Sequence, residues 1–111
     1  MHYQFVFADW FNRNLKALGK RNPKLREDLE SFLQTFEPER HPLIPGTGGA
    51  RKARMRLTGR GKRGGYRVVY YFVGDSAVWL ITIYDKVRQE TLTPDETARV
   101  AGLIQDIRAR G

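Results

Sequence analysis

A short basic segment contains the residues of this chain best suited to chemistry. Residues 51–67 read RKARMRLTGRGKRGGYR and include eight Lys and Arg but no acid. The whole chain has 20 Lys and Arg and 12 Asp and Glu, so the residues outside this segment carry no net charge. Guanidinium and ammonium groups bind phosphate oxygens and stabilise the charge that develops when a phosphodiester reacts. The segment therefore predicts a surface that binds nucleic acid through Arg51, Lys52, Arg54, Arg56, Arg60, Lys62, Arg63 and Arg67.

The spacing within this segment predicts how its cations are presented. Apolar or small residues at 53, 55 and 57 alternate with Arg54 and Arg56, which is typical of a half-buried strand with one cationic face. Arg67 begins the next predicted strand. If the two strands pair through the loop at 59–65, the three guanidiniums meet. Crowded cations repel one another, and a bound polyanion would relieve that repulsion.

The hydrophobic pattern predicts the elements that position these residues. We expect strands over 3–7, 53–57, 66–73 and 78–84, with a hairpin turn at Gly74 and Asp75. A first helix starts at Ala8. A second helix has Asn22 as its N-cap and Pro23 at its first position, and it ends at Pro38; a third has a capping box at Thr93. The order β-α-α-β-β-β-α predicts one α+β domain over 1–111. A mostly antiparallel sheet of about four strands is expected, with an N-terminal helical hairpin over one face and a C-terminal helix.

Composition and the remaining motifs exclude several classes of site. The chain has no cysteine, which excludes disulfides, thiolate zinc sites and a cysteine nucleophile. His2 and His41 have no ligand-type neighbours at metal spacing, so no metal is expected. The segment GRGKRG at 59–64 matches a dinucleotide-binding pattern, but a strand follows it where that site needs a helix. With no signal peptide and no membrane span in the pattern, we expect a cytoplasmic protein.

Residues 64–96, GGYRVVYYFVGDSAVWLITIYDKVRQETLTPDE, closely resemble the RelE/ParE superfamily of bacterial toxins. The glycine loop before GYRVVYYF, the hairpin, the segment LITIYDK and the capped last helix are similar to the RelE branch, with HigB and phage Gp49-like members nearest. The resemblance implies a RelE-like fold and the toxin of a type II toxin–antitoxin system. That toxin is a ribosome-dependent mRNA endonuclease, or mRNA interferase, which cuts the codon in the ribosomal A site. The ribose 2′-hydroxyl is the nucleophile, and neither a metal nor a cofactor is required.

The same resemblance implies roles for individual residues and partners. The catalytic set is Arg54, Arg56, Arg67 and Lys86. Proton transfer falls to Lys86 or Lys52, because arginine hardly releases a proton. RNA binding is expected from Arg51, Lys52, Arg60, Lys62, Arg63 and Tyr84, although for Tyr84 a role in the core is an equal alternative to stacking on a base. The implied partners are the ribosome, its mRNA and a cognate antitoxin of the helix-turn-helix type.

Two other functions stay open at this point. ParE-like relatives share the fold and poison DNA gyrase without cutting RNA. A module that binds RNA without catalysis would need the same basic surface. The positions of the basic residues match the nuclease branch, and this favours the endonuclease.

Overall fold

The computed structural model describes residues 3–57 and 65–110, which form a four-stranded sheet and three helices. The strand order is β1-β4-β3-β2; β1 runs parallel to β4, and the other neighbours are antiparallel. This confirms the predicted α+β class and the predicted element order. The strands are β1 (Gln4–Phe7), β2 (Arg51–Met55), β3 (Tyr66–Val73) and β4 (Ala77–Asp85), and the helices are α1 (Asp9–Gly19), α2 (Leu25–Gln34) and α3 (Pro94–Ala109).

Helices cover both faces of the sheet. On one face, buried residues of the α1–α2 hairpin, including Phe11 and Leu25, share a core with Tyr70 of β3. On the other face, α3 packs through Val100 and Ile104 in a second cluster. The alternation of side chains along each strand divides the sheet residues between these two cores. We refer to the second side as the α3 face.

The element ends show where local signals hold and where they fail. The capping box at α3 is confirmed: the Thr93 hydroxyl accepts from the Glu96 amide at 3.1 Å, and the Thr93 amide donates to the Glu96 carboxylate at 2.9 Å. The predicted N-cap of α2 is wrong, because the Asn22 side chain accepts from the Lys24 amide at 3.2 Å in a local turn. Lys24 occupies the N-cap position, and Pro23 lies before the helix. The helix ends at Gln34, ahead of the predicted end at Pro38.

Strand β2 starts two residues earlier than predicted, because Arg51 and Lys52 pair with Tyr70 and Val69 of β3 and also with the preceding loop. The Ile44 amide donates to the Ala50 carbonyl at 2.8 Å, and the Lys52 amide donates to the Pro42 carbonyl at 3.0 Å. Strand β2 therefore begins at Arg51. The alternation of apolar and basic residues alone predicts a start at Ala53. The sides of the strand are as predicted: Met55 is buried and Arg54 is exposed.

Strand β1 lies beside the first part of β4, and helix α1, which follows β1, lies beside the rest of β4. The Ala8 amide donates to the Leu80 carbonyl at 3.0 Å, just after β1 ends. One and a half turns later, the Asn14 amide group donates to the Thr82 hydroxyl at 2.9 Å and the Ile83 carbonyl at 3.3 Å. Helix α1 therefore advances in the same direction as β4, and the α1–α2 turn lies toward the end of the sheet where β4 finishes. Within the described residues, none of the helices combines the length and apolar character needed to cross a membrane.

Candidate nucleic-acid interface

Three predicted site residues form a row across the sheet. Arg54 of β2 is the direct partner of Arg67 of β3, and Arg67 is the direct partner of Tyr84 of β4. Directly opposed residues in antiparallel strands have Cβ atoms about 5 Å apart on the same face. The structure therefore brings Arg54 and Arg67 together, as the predicted strand pairing implies, and places both on the α3 face. We call Arg54, Arg67 and Tyr84 the first row.

A second row follows one step toward the end of the sheet. The Lys86 amide donates to the Gly65 carbonyl at 3.2 Å, so Lys86 lies beside the residue that precedes β3. On the other side, a Cβ placed on Gly65 would lie 3.9 Å from the Cα of Arg56. Arg56 and Lys86 thus flank Gly65, each two residues beyond a member of the first row. All four predicted catalytic residues lie at this one end of the sheet.

The position between Arg56 and Lys86 requires a glycine, Gly65, for structural reasons. Gly65 is buried with φ of +143°, and a Cβ there would meet the Met55 carbonyl oxygen at 2.8 Å. No side chain fits at this position without moving the β2 backbone. The second row therefore has cations at its two ends and, at Gly65 between them, a close approach of the chain to the β2 backbone.

Among the described residues, the two guanidiniums of the first row lack carboxylate partners. No ion pair joins Arg54 or Arg67 to an acid within residues 3–57 and 65–110. Arg54 is exposed, whereas Arg67 is only 6% exposed. Burial lowers the pKa of Arg67, and the neighbouring charge of Arg54 lowers it further. A buried guanidinium beside another cation is electrostatically unfavourable, so a bound phosphate would stabilise both.

Tyr84 ends the first row as a buried residue. It is 7% exposed and packs in the cluster that includes Leu92 and Val100. Its hydroxyl is buried without a hydrogen-bond partner among the described residues. Burial raises the pKa of Tyr84, which keeps the phenol neutral. This packing favours the core alternative over stacking of the ring on a base.

The remaining predicted RNA-binding residues divide into three groups. Lys52 precedes Arg54 by two residues in β2 and so shares its face, partly exposed. Arg51 lies on the opposite face across from Tyr70, and its guanidinium donates to the His41 carbonyl at 2.6 Å and the Glu39 carbonyl at 3.4 Å. These bonds give Arg51 a structural role that the sequence does not reveal. Arg60, Lys62 and Arg63 lie outside the described residues.

One further cation, Arg88, lies two residues beyond Lys86 and has no motif that marks it in the sequence. Arg88 is exposed in the turn after β4, and its amide donates to the Asp85 carbonyl at 3.1 Å. The motif IYDK ends at Lys86, so the pattern gives no signal for a residue two positions further on. Within the described residues, no group of three or more His, Cys, Asp or Glu is placed to hold a metal ion. The side chains of the two rows are guanidiniums, one lysine amine and one phenol.

The topology and element order define a RelE-like α+β fold. Among solved structures, the chain is similar to a free-state mutant of the E. coli toxin RelE in which two arginines are replaced by alanine. The identity is 20% and the TM-score 0.53, over 89% of this chain and 97% of that chain. It is also similar to the intact E. coli RelBE toxin–antitoxin complex, at 22% identity and a TM-score of 0.47, over 73% of this chain and 93% of that chain. No model of a known protein family matches the chain.

Proposed function

We propose that this protein is the toxin of a type II toxin–antitoxin system and an mRNA endonuclease that acts in the ribosomal A site. The observation that carries the proposal is the pairing of Arg54 with Arg67 in a row without carboxylate partners among the described residues. The fold is similar to that of the RelE toxin mutant, and the GYR and IYDK segments, which carry the family resemblance, contain Arg67 and Lys86. Assignment to the HigB or Gp49-like branch stays a prediction.

The chemistry can proceed with the groups in the two rows. The ribose 2′-oxygen attacks the adjacent phosphorus, a base takes its proton, and the bond to the 5′-oxygen breaks as that oxygen gains a proton. Arg54 and Arg67 would hold the non-bridging oxygens, whose negative charge grows in the transition state. An arginine hardly releases a proton whereas a lysine amine can transfer one, so Lys86 or Lys52 would transfer the protons. Such a site needs neither a metal nor a cofactor.

The proposal includes three partners. The mRNA is the substrate, and the ribosome would align the scissile phosphate with the rows, because alignment of this kind contributes several kcal/mol to catalysis. A cognate antitoxin, expected to be of the helix-turn-helix type, would inactivate the toxin by covering the rows with an acidic segment. We expect isolated protein to cut naked RNA poorly.

The test is expression in a bacterium with mapping of RNA ends in translated messages. Cuts at codon positions are expected. Arg54→Gln and Arg67→Ala should each reduce cleavage about a hundredfold, since one charge contact to the transition state contributes ~3 kcal/mol. Arg54→Gln is expected to disturb the fold less than Arg67→Ala, because Arg54 is exposed. The control is Arg108→Gln, which replaces an exposed residue of α3. Full cleavage by both site variants would refute the assignment. DNA breaks without mRNA cuts would support the gyrase-inhibitor alternative.

A further inference from the structure

A second cationic surface lies on the α1–α2 hairpin. Residues 10–26 contain six Lys and Arg and no acid. All six side chains are exposed, and no ion pair joins them to a carboxylate within the described part of the chain. The nearest acids in sequence are Asp9 and Glu27. We call this set the turn cations: Arg13, Lys16, Lys20, Arg21, Lys24 and Arg26.

The turn cations lie toward the same end of the sheet as the two rows. Asn14 bonds to Thr82 and Ile83, and α1 continues for five residues beyond Asn14 to Gly19. At about 1.5 Å per residue this is roughly 7 Å, similar to the distance that β4 covers from Ile83 to its end at Asp85. The α1–α2 turn therefore reaches the level of Lys86, on the β4 side of the sheet.

The composition of this surface fits a phosphate backbone better than a protein partner. The large hydrophobic residues exposed in the described structure are Phe7, Leu43 and Val87, and none belongs to the turn cations or the residues between them. Protein interfaces are built around an apolar or aromatic core and are depleted in lysine. Contacts to nucleic-acid backbones need cations at close spacing and no apolar core.

We propose that the turn cations bind the phosphate backbone of a folded, double-helical RNA while the two rows hold the RNA strand that is cut. Duplex RNA is recognised through its shape and its phosphates, which exposed and flexible Lys and Arg side chains can reach. The surface supplies affinity and orientation and takes no part in the chemistry. The inference concerns binding, so it can be tested whether or not the protein cleaves RNA.

The experiment measures binding of a short fluorescein-labelled RNA duplex by fluorescence anisotropy over a range of salt concentrations. The test variant is Arg21→Gln/Arg26→Gln, and the matched control is Arg108→Gln/Arg110→Gln, which removes two equally exposed charges at the end of α3. The test variant should bind roughly tenfold more weakly at physiological salt. Its slope of log K against log salt should be shallower by about 2, one for each lost phosphate contact.

Two results would overturn the inference. Equal weakening by the test and control variants would show that only the net charge matters. Unchanged duplex binding by the test variant, together with weaker binding of a poly-glutamate peptide, would identify the surface as a site for an acidic protein segment. Thermal melting of both variants checks the fold, and Lys20→Gln/Lys24→Gln is a second test pair if the first fails to fold.

Discussion

Tyr70 and Tyr84 are both buried on the central strands, but their hydroxyls have different surroundings. The Tyr70 hydroxyl donates to the Pro38 carbonyl and so ties the segment after α2 to β3. The Tyr84 hydroxyl lacks a partner among the described residues. A buried hydroxyl without a hydrogen bond costs about 1–3 kcal/mol, whereas a satisfied one contributes about 1 kcal/mol. The two hydroxyl groups, in contrast to the two buried rings, therefore affect stability with opposite signs.

Replacing each tyrosine by phenylalanine tests this difference. Tyr84→Phe removes the unpaired hydroxyl, and we expect the free energy of unfolding to stay constant or rise by about 1 kcal/mol. Tyr70→Phe leaves the Pro38 carbonyl unpaired and should lower it by about 1–2 kcal/mol. Urea denaturation of the two variants measures both values. Equal losses in the two variants would mean that the Tyr84 hydroxyl has a partner in the folded protein.

At the scale of the elements, the start of β3 determines how the two rows are aligned. Gly65 brings β3 close to β2, and the pairing of Arg54 with Arg67 follows two residues later. Gly74 in the β3–β4 turn also has a positive φ, of +60°, but a Cβ there would meet nothing within 4 Å. Both glycines therefore have a positive φ that favours glycine, and Gly65 alone also approaches a neighbouring strand closely.

Alanine at each glycine gives a matched comparison. Gly74→Ala should cost about 1 kcal/mol, because only the left-handed conformation is strained. Gly65→Ala should cost more than about 2 kcal/mol and reduce cleavage, because the clash with the Met55 carbonyl displaces Arg67 from Arg54. Chemical denaturation and RNA-end mapping measure the two effects. A similar cost at both positions would show that the β2–β3 approach adjusts freely.

The elements that the sequence predicted well are those whose signals are local. Strand β3 over 66–73 and the capping box at Thr93 depend on nearby residues, and both are confirmed. The start of β2 depends in part on hydrogen bonds to the loop at 42–44. The start of α2 depends on a hydrogen bond accepted by the Asn22 side chain. A hydrophobic pattern predicts neither of these bonds, so it does not predict where the two elements begin. The sequence also gave no sign that α3 covers the second face.

For the candidate site as well, the features with a local signal in the sequence were predicted, and those that depend on distant residues were not. The alternation of apolar and basic residues along β2 predicts that Arg54 lies on the exposed face. In the structure, pairing of β2 with β3 brings Arg67 beside it. The burial of Tyr84 depends on the cluster that it shares with Leu92 and Val100, and no signal near Tyr84 in the sequence indicates that α3 covers this face. The turn cations were overlooked because a net charge of zero outside 51–67 conceals a basic segment balanced by distant acids.

Across the whole molecule, positive charge is concentrated at one end of the sheet. The chain carries a formal charge of +8, and the two cationic surfaces both lie where β4 finishes. If the rows hold the reacting phosphate and the turn cations hold a distant backbone, the two sets act on different steps. Interactions that bind ground state and transition state equally affect affinity alone, whereas those specific to the transition state affect the rate.

Combined variants test this separation in full. Arg54→Gln should lower the rate of cleavage at saturating ribosome concentration, whereas Arg21→Gln/Arg26→Gln should raise the concentration needed for half-maximal cleavage and leave the saturating rate unchanged. Joining all three substitutions should give free-energy losses that add to within about 0.5 kcal/mol, because Arg54 lies on β2 at one edge of the sheet and the α1–α2 turn lies beside β4, on the other side of β3. Cleavage titrations against programmed ribosomes measure both quantities. A fall in the saturating rate with the turn variant alone would place the α1–α2 turn in the chemistry, and strong non-additivity would mean that the two surfaces form a single site.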